Sequence, residues 1–335
     1  MRARPTVLFA VAAVLLGAEW GMAQPAPKRD AAETLREALT RRSGQQGNEG
    51  DLGSSFVRTE GSGVIDENSV RTAREVASHS TGTPEWSNPP GFEKDVFTFA
   101  RALFKVTPTT EPMPPFHVGK EIGWWVDFPD ADLNFSYRLQ QITSLRTDPN
   151  GRVIRLNDPE LYKFPFLFFE HPGYMRLRES EVAGLRKYLL AGGVMVVIDF
   201  WNQREWNGFA AQMQRVMPER TWTDLTTDHP LFNCVFDLRR PMQELQVPTM
   251  QFWNRGVDPG TPDRPLQIDR GVGSEKMSVR ALLDDKGRIM AIAFHNSDVS
   301  DGWEREGENP EYFAVFSEKI SYPLGINLVF YLMTH

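Results

Sequence analysis

Val194-Met195-Val196-Val197-Ile198, followed at once by Asp199-Phe200-Trp201-Asn202, is the stretch from which the fold is read. A strand with one face in water alternates apolar and polar residues; an unbroken apolar run suits a strand covered on both faces, as in a parallel sheet packed between helices. Phe166-Leu167-Phe168-Phe169 and Ile289-Met290-Ala291-Ile292-Ala293-Phe294 have the same character. Val96 to Arg101 is predicted as the first strand, with Phe97, Phe99 and Arg101 on one face and Thr98 and Ala100 on the other. Helical stripes separate these runs. Phe135, Leu139, Ile142 and Leu145 recur at helical spacing with Asp130 or Asp132 available as N-cap, and Val182, Leu185 and Leu189 form a stripe that Gly192-Gly193 stops. Trp206, Phe209, Ala210, Met213, Val216 and Met217 form a third, opened by Asn202 and ended by Pro218. A last apolar helix, Leu324 to Met333, starts at Pro323 and is too short to cross a bilayer, so it is predicted to pack as core. The alternation predicts a single α/β domain over residues 94–335: a doubly wound, mostly parallel sheet with helices on both faces.

The amino terminus reads as an export signal. Arg2 and Arg4 precede an uncharged apolar segment, Thr6 to Ala18, and Gly21-Met22-Ala23 supplies small residues for cleavage near Ala23. The predicted location is therefore periplasmic or secreted, with no transmembrane helix in the mature chain. Residues 24–93 are rich in Gly, Ser, Gln, Asn and Pro and poor in large apolar residues, which predicts a disordered or weakly structured linker, with a short helix within Arg29 to Arg42.

The formal charge of the chain is −7, and removing residues 1–23, with two Arg and one Glu, makes it −8. That balance argues against nucleic acid as a partner. Cys234, the single cysteine, cannot form an intrachain disulfide and is predicted to be a buried free thiol.

Ligands of open α/β sheets bind beyond the carboxyl ends of the strands. Here those ends are polar: Glu170-His171-Pro172-Gly173, Asp199-Phe200-Trp201-Asn202 and His295-Asn296-Ser297-Asp298. If the three strands are neighbours, Glu170, His171, Asp199 and His295 converge on an acid/base or metal site. The same residues also suit ordinary work, Asp199 or Asn202 as a helix cap and His295 bonded to a loop carbonyl. Gly123-Trp124-Trp125-Val126-Asp127-Phe128-Pro129-Asp130-Ala131-Asp132 offers tryptophans beside carboxylates, a pattern that stacks on sugars or anchors a loop on the core. The acidic stretch Asp298 to Glu311 reads as a solvated surface, with an ion-binding or lid role as the other reading. No phosphate loop, His-Glu-x-x-His, Gly-x-Ser-x-Gly or Cys-x-x-Cys occurs. No residue is assigned as a metal ligand and no cofactor is named.

Phe97-Thr98-Phe99-Ala100-Arg101, Asp127-Phe128-Pro129-Asp130-Ala131-Asp132-Leu133-Asn134-Phe135 and Asp301-Gly302-Trp303-Glu304-Arg305-Glu306-Gly307-Glu308 carry a resemblance to the bacterial family labelled domain of unknown function 4159. Tyr137 to Leu145, Asp228 to Phe232, Cys234 to Asp237, His295 to Asp298 and Tyr322 to Asn327 extend it from Val96 to His335. The resemblance implies a fold like the class I glutamine amidotransferase-like and trehalose-utilisation-like α/β domains, and no established activity. Where amidotransferases carry a nucleophilic cysteine this chain reads Asp199-Phe200-Trp201, and Cys234 lies elsewhere, which speaks against glutaminase chemistry.

Two functions follow. One is a non-catalytic envelope module that binds an envelope protein or glycan through Trp201, Asn296, Trp125, Asp127 and Arg138. The other is a hydrolase of a glycan or amide, with Asp199 or Glu170 as base and His171 or His295 as acid.

Overall fold

The computed structural model describes residues 56–58, 64–92, 95–106, 123–253 and 273–335; the predicted signal peptide and the predicted helix within Arg29 to Arg42 lie outside them. The central strand is β4, Val194–Phe200, and all seven of its residues are buried, as an unbroken apolar run requires. It lies between β3, Phe166–Glu170, and β7, Ile289–His295, parallel to both, with Phe168 opposite Val196 and Ala293 opposite Val197. β1, Ala100–Leu103, and β2, Arg152–Arg155, continue the parallel sheet beyond β3. On the other side β6, Ser278–Leu283, pairs antiparallel with β7, and β5, Trp222–Leu225, pairs antiparallel with β6. The order is β2-β1-β3-β4-β7-β6-β5, five parallel strands closed by an antiparallel edge.

Each face of the sheet buries its own core. Leu167, Phe169, Met195 and Val197 face helices α2, Glu179–Leu190, and α3, Asn202–Val216, through Leu185, Leu189, Phe209 and Met213. Phe166, Phe168, Val196 and Ile198 face the opposite way, toward α1, Asp130–Ile142, and the carboxyl-terminal helix Tyr322–Thr334, through Phe135, Leu139, Leu324 and Leu328. Phe99 stacks on Phe168 with centroids 3.9 Å apart, and Phe135 meets Trp303 at 4.5 Å, so the second core is strongly aromatic. The chain is thus one α/β domain with a mostly parallel sheet covered on both faces.

Several local expectations are corrected. The first strand begins at Ala100 rather than Val96: Phe97 exchanges bonds with Arg146 and Asp148 as an isolated bridge, which ties it to the loop before β2 instead of a continuous ladder. Pro129 occupies the N-cap of α1, and Asp130 and Asp132 sit inside its first turn, where they serve other partners. The final helix continues a π-helical turn, Phe313–Ser321, rather than starting at Pro323. Cys234 is exposed, because residues 234–236 form a surface turn whose Val235 and Phe236 amides donate to Asn327 Oδ1.

The largest correction concerns residues 64–92, predicted as linker. They form a strap on the domain. Ile65, Val70 and Ala73 are buried in the first core; the Ala73 amide donates to Asn150 O at 2.9 Å, and Val153 donates to Arg71 O at 2.8 Å. Ser78 Oγ bonds Asp130, His79 Nδ1 lies 3.2 Å from Glu304 Oε1, and Trp86 Nε1 donates to Thr147 O. Few apolar residues suffice here because the strap borrows an existing core rather than building its own.

Candidate functional site

The described non-glycine residues in the left-handed region are Asp127 (φ 57°), His171 (φ 48°), Asp199 (φ 46°), Asn202 (φ 57°) and Asn296 (φ 62°). Left-handed backbone is costly for residues with a Cβ, and it persists where surrounding structure fixes it. Four of these residues follow or end β3, β4 and β7, and the fifth is in the loop entering α1, so strain gathers at the carboxyl edge of the sheet.

β3 and β4 place Glu170, His171 and Asp199 side by side. His171 Nδ1 lies 3.0 Å from Asp199 Oδ2, and the Trp201 indole Nε1 donates to Asp199 Oδ1 at 2.7 Å. A carboxylate accepting at Nδ1 fixes that nitrogen as the protonated one and turns Nε2 outward from the pair. Nε2 is 3.8 Å from Glu205 Oε2, whose carboxylate accepts from the Trp201 amide at 2.8 Å. The His171 amide donates to Ile198 O, and α3 presses on the turn after His171 where Gly173 and Gly208 allow close approach.

Glu170 is 1% exposed. Its Oε1 accepts from Ser300 Oγ at 2.8 Å, and Oε2 faces Arg101 Nη1 at 3.5 Å. Arg101 is itself buried and fully engaged: Nε and Nη2 bond Asp132, and Nη1 donates to the carbonyls of Trp124 and Val126, each at 2.9 Å. Asp132 and Glu170 hold the guanidinium charged by outweighing the cost of its burial. Burial, with Asp127 and Asp199 nearby, pushes the Glu170 carboxyl well above the usual carboxylate range against the pull of Arg101.

Oxygens of Asp127, Glu170 and Asp199 lie within 4.8 Å of one another, and those of Asp127, Asp298 and Asp301 form a second such set. The second set is rich in donors. Asp298 accepts from Thr249 Oγ1 at 2.7 Å and from the Asp301 amide at 3.1 Å, while Asp301 accepts from the Met250 amide, Tyr312 OH and Arg305 Nε. The stretch predicted as a solvated acidic surface is thereby corrected in part: Asp298, Asp301 and Glu304 are buried at the site, where Arg305 reaches 2.6 Å from Glu304.

His295 does not join the cluster. Its Nε2 donates to Asn202 O at 3.0 Å, and its ring packs on Phe200 and Trp206 at 4.9 and 5.3 Å. Burial pushes its imidazole down to about 4, so it is neutral near pH 7, and the prediction that it supplies the acid does not fit this setting. Asn296 braces the edge instead: Oδ1 accepts from the Asn202 amide and Nδ2 donates to Gly273 O and Lys276 O, each at 2.8 Å. Asn202 Oδ1 in turn accepts from the Arg204 and Glu205 amides and caps α3.

The tryptophans offer no open platform. Trp125 and Trp201 are 7% and 4% exposed. Trp125 packs on Trp124, whose Nε1 donates to Glu67 of the strap, so this pair anchors the loop. Arg138 lies outside the cluster, paired with Glu306 and resting on the Phe313 and Tyr322 rings. The sequence assigns no site role to Arg101, Glu205 or Ser300, and it reaches Asp298 and Asp301 only through the polar strand end and the ion-binding reading of the acidic stretch Asp298 to Glu311. The end of a predicted strand is the local signal for Arg101, whereas Glu205 and Ser300 reach His171 and Glu170 through contacts distant in sequence.

The family described as Domain of unknown function (DUF4159) matches residues 117–333. No curated protein matches the chain.

Proposed function

The chain belongs to the DUF4159 family, whose description assigns no activity, and we propose that it is a hydrolase with its acid/base centre at His171 and Asp199. The observation that carries this reading is the 3.0 Å contact between His171 Nδ1 and Asp199 Oδ2, made by two buried residues at the carboxyl ends of adjacent strands, each held in left-handed backbone. Asp199 orients the imidazole and stabilises its protonated form, and His171 moves the proton. An exported protein of the amidotransferase-like wound class, acting on a glycan or an amide, suits the predicted signal peptide and the sheet order. The density of buried carboxylates disfavours an anionic substrate. The binding-module reading is weaker, since Trp125 and Trp201 are core residues.

The test is a panel of chromogenic glycosides and amides assayed with the wild-type protein, His171→Gln and Asp199→Asn. Turnover that both variants lose supports the reading; turnover that survives in both removes these residues from the chemistry.

A further inference from the structure

We propose that Asp127, Glu170 and Asp199 bind a hard divalent cation. These three come from the loop entering α1, the end of β3 and the end of β4, and one oxygen from each lies within 4.8 Å of the others. Oxygens bound to one calcium ion, each about 2.4 Å from it, are at most about 4.8 Å apart, so the three carboxylates are near enough to close on one ion together, and the shorter bonds of magnesium, about 2.1 Å, would need them to draw nearer. An all-carboxylate set selects hard, oxygen-seeking cations over zinc or copper.

The carboxylates alone would not argue for an ion. The pointer is Glu170 Oε2, which is buried and accepts no hydrogen bond among the described residues. Arg101 Nη1, its nearest cationic neighbour at 3.5 Å, spends its N–H bonds on the Trp124 and Val126 carbonyls. A buried carboxylate oxygen in that state costs free energy unless a cation or a proton meets it. The neighbouring set, Asp127 with Asp298 and Asp301, differs: hydroxyl, amide and guanidinium donors engage Asp298 and Asp301, and neither has a buried oxygen in the state of Glu170 Oε2. The cation is therefore assigned to the Glu170 set. His171 and Trp201, bonded to the two oxygens of Asp199, would fix the orientation of that ligand, as outer partners of metal-bound carboxylates do.

The inference goes beyond hydrolysis, because binding is measured without turnover. The full-length protein, dialysed against chelator, is titrated separately with CaCl2, MgCl2 and MnCl2 by calorimetry. Terbium(III) luminescence sensitised through tryptophan gives a second readout, since the Trp201 indole sits against Asp199. Saturable binding of at least one divalent ion is expected, weakened at least tenfold in Glu170→Gln. Circular dichroism confirms folding of that variant, and Asp127→Asn replaces it if it fails to fold. Glu306→Gln, outside the cluster, is expected to bind like the wild type. Absence of binding up to millimolar ion, or unchanged affinity in the folded cluster variant, overturns the proposal. A hydrolase that binds no ion would refute the cation and leave the His171–Asp199 centre standing; the reverse result would do the opposite.

Discussion

His171 Nδ1 and Asp199 Oδ2 are 3.0 Å apart although 28 residues separate them in the chain, because adjacent parallel strands β3 and β4 pair Glu170 with Ile198 and so bring the next residue of each level with the other. The other Asp199 oxygen accepts the Trp201 indole. In Asp199→Asn the amide oxygen can keep the indole bond, which turns the amide NH2 toward His171 and demands the other imidazole tautomer. Hydrolytic turnover is expected to fall by at least about 100-fold with the fold intact. Imidazole nitrogen NMR should show the proton moving from Nδ1 to Nε2; an unchanged tautomer would refute this account of the pair.

Arg101 and Asp132 are a buried ion pair, with both residues inaccessible to solvent. Arg101→Met leaves the buried Asp132 carboxyl, which burial already pushes up, without its counter-charge and is expected to cost roughly 3–5 kcal/mol of unfolding free energy, whereas Arg101→Met/Asp132→Leu, which removes both groups, should recover much of it. Urea denaturation of the two variants measures the difference.

Gly208 on α3 faces the carbonyl of Gly173 so closely that a Cβ would lie 2.2 Å from that oxygen. Alanine normally gains about 0.5–1 kcal/mol over glycine within a helix. Here the obstacle is backbone, so Gly208→Ala is expected to destabilise by about 1–3 kcal/mol and to displace the turn that carries His171. A stabilised variant with unshifted His171 resonances would contradict the packing.

His295 gives the fold a defined acid sensitivity. Its imidazole is held at about 4 by burial, against about 6.5 in the unfolded chain. Above pH 6.5 both states are neutral and the residue costs nothing. As pH falls from 6.5 to 4 the unfolded state takes up the proton first, and stability drops by on the order of 3 kcal/mol, levelling off once the folded state also protonates. His295→Gln should flatten that part of the stability-pH curve measured by urea unfolding.

The strap makes residues 64–92 part of the domain. A chain starting at Asp95 loses the Ile65, Val70 and Ala73 contacts and the bonds from Ser78 and His79 to Asp130. Its urea midpoint should fall well below that of a chain starting at Gly63; equal midpoints would return the strap to the status of a linker.

Local pattern determined the layers of this protein. The unbroken runs at 166–169, 194–198 and 289–294 stated that both strand faces would be covered, and the stripes at 182–189 and 206–217 located α2 and α3, because burial on one or two faces leaves a short-range period in the chain. The polar residues directly after those runs were legible for the same reason. Tertiary structure alone decided which of them meet. Glu170, His171 and Asp199 converge because β3 adjoins β4, whereas His295, which ends the next strand, turns to the Asn202 carbonyl and two aromatic rings. It also decided that Asp298 and Asp301 are interior rather than solvated, and that a Gly-, Ser- and Pro-rich segment is a strap. A carboxylate's setting is fixed by what surrounds it in space, here Arg101, Ser300, Thr249 and Arg305 drawn from distant segments, and no local period records that.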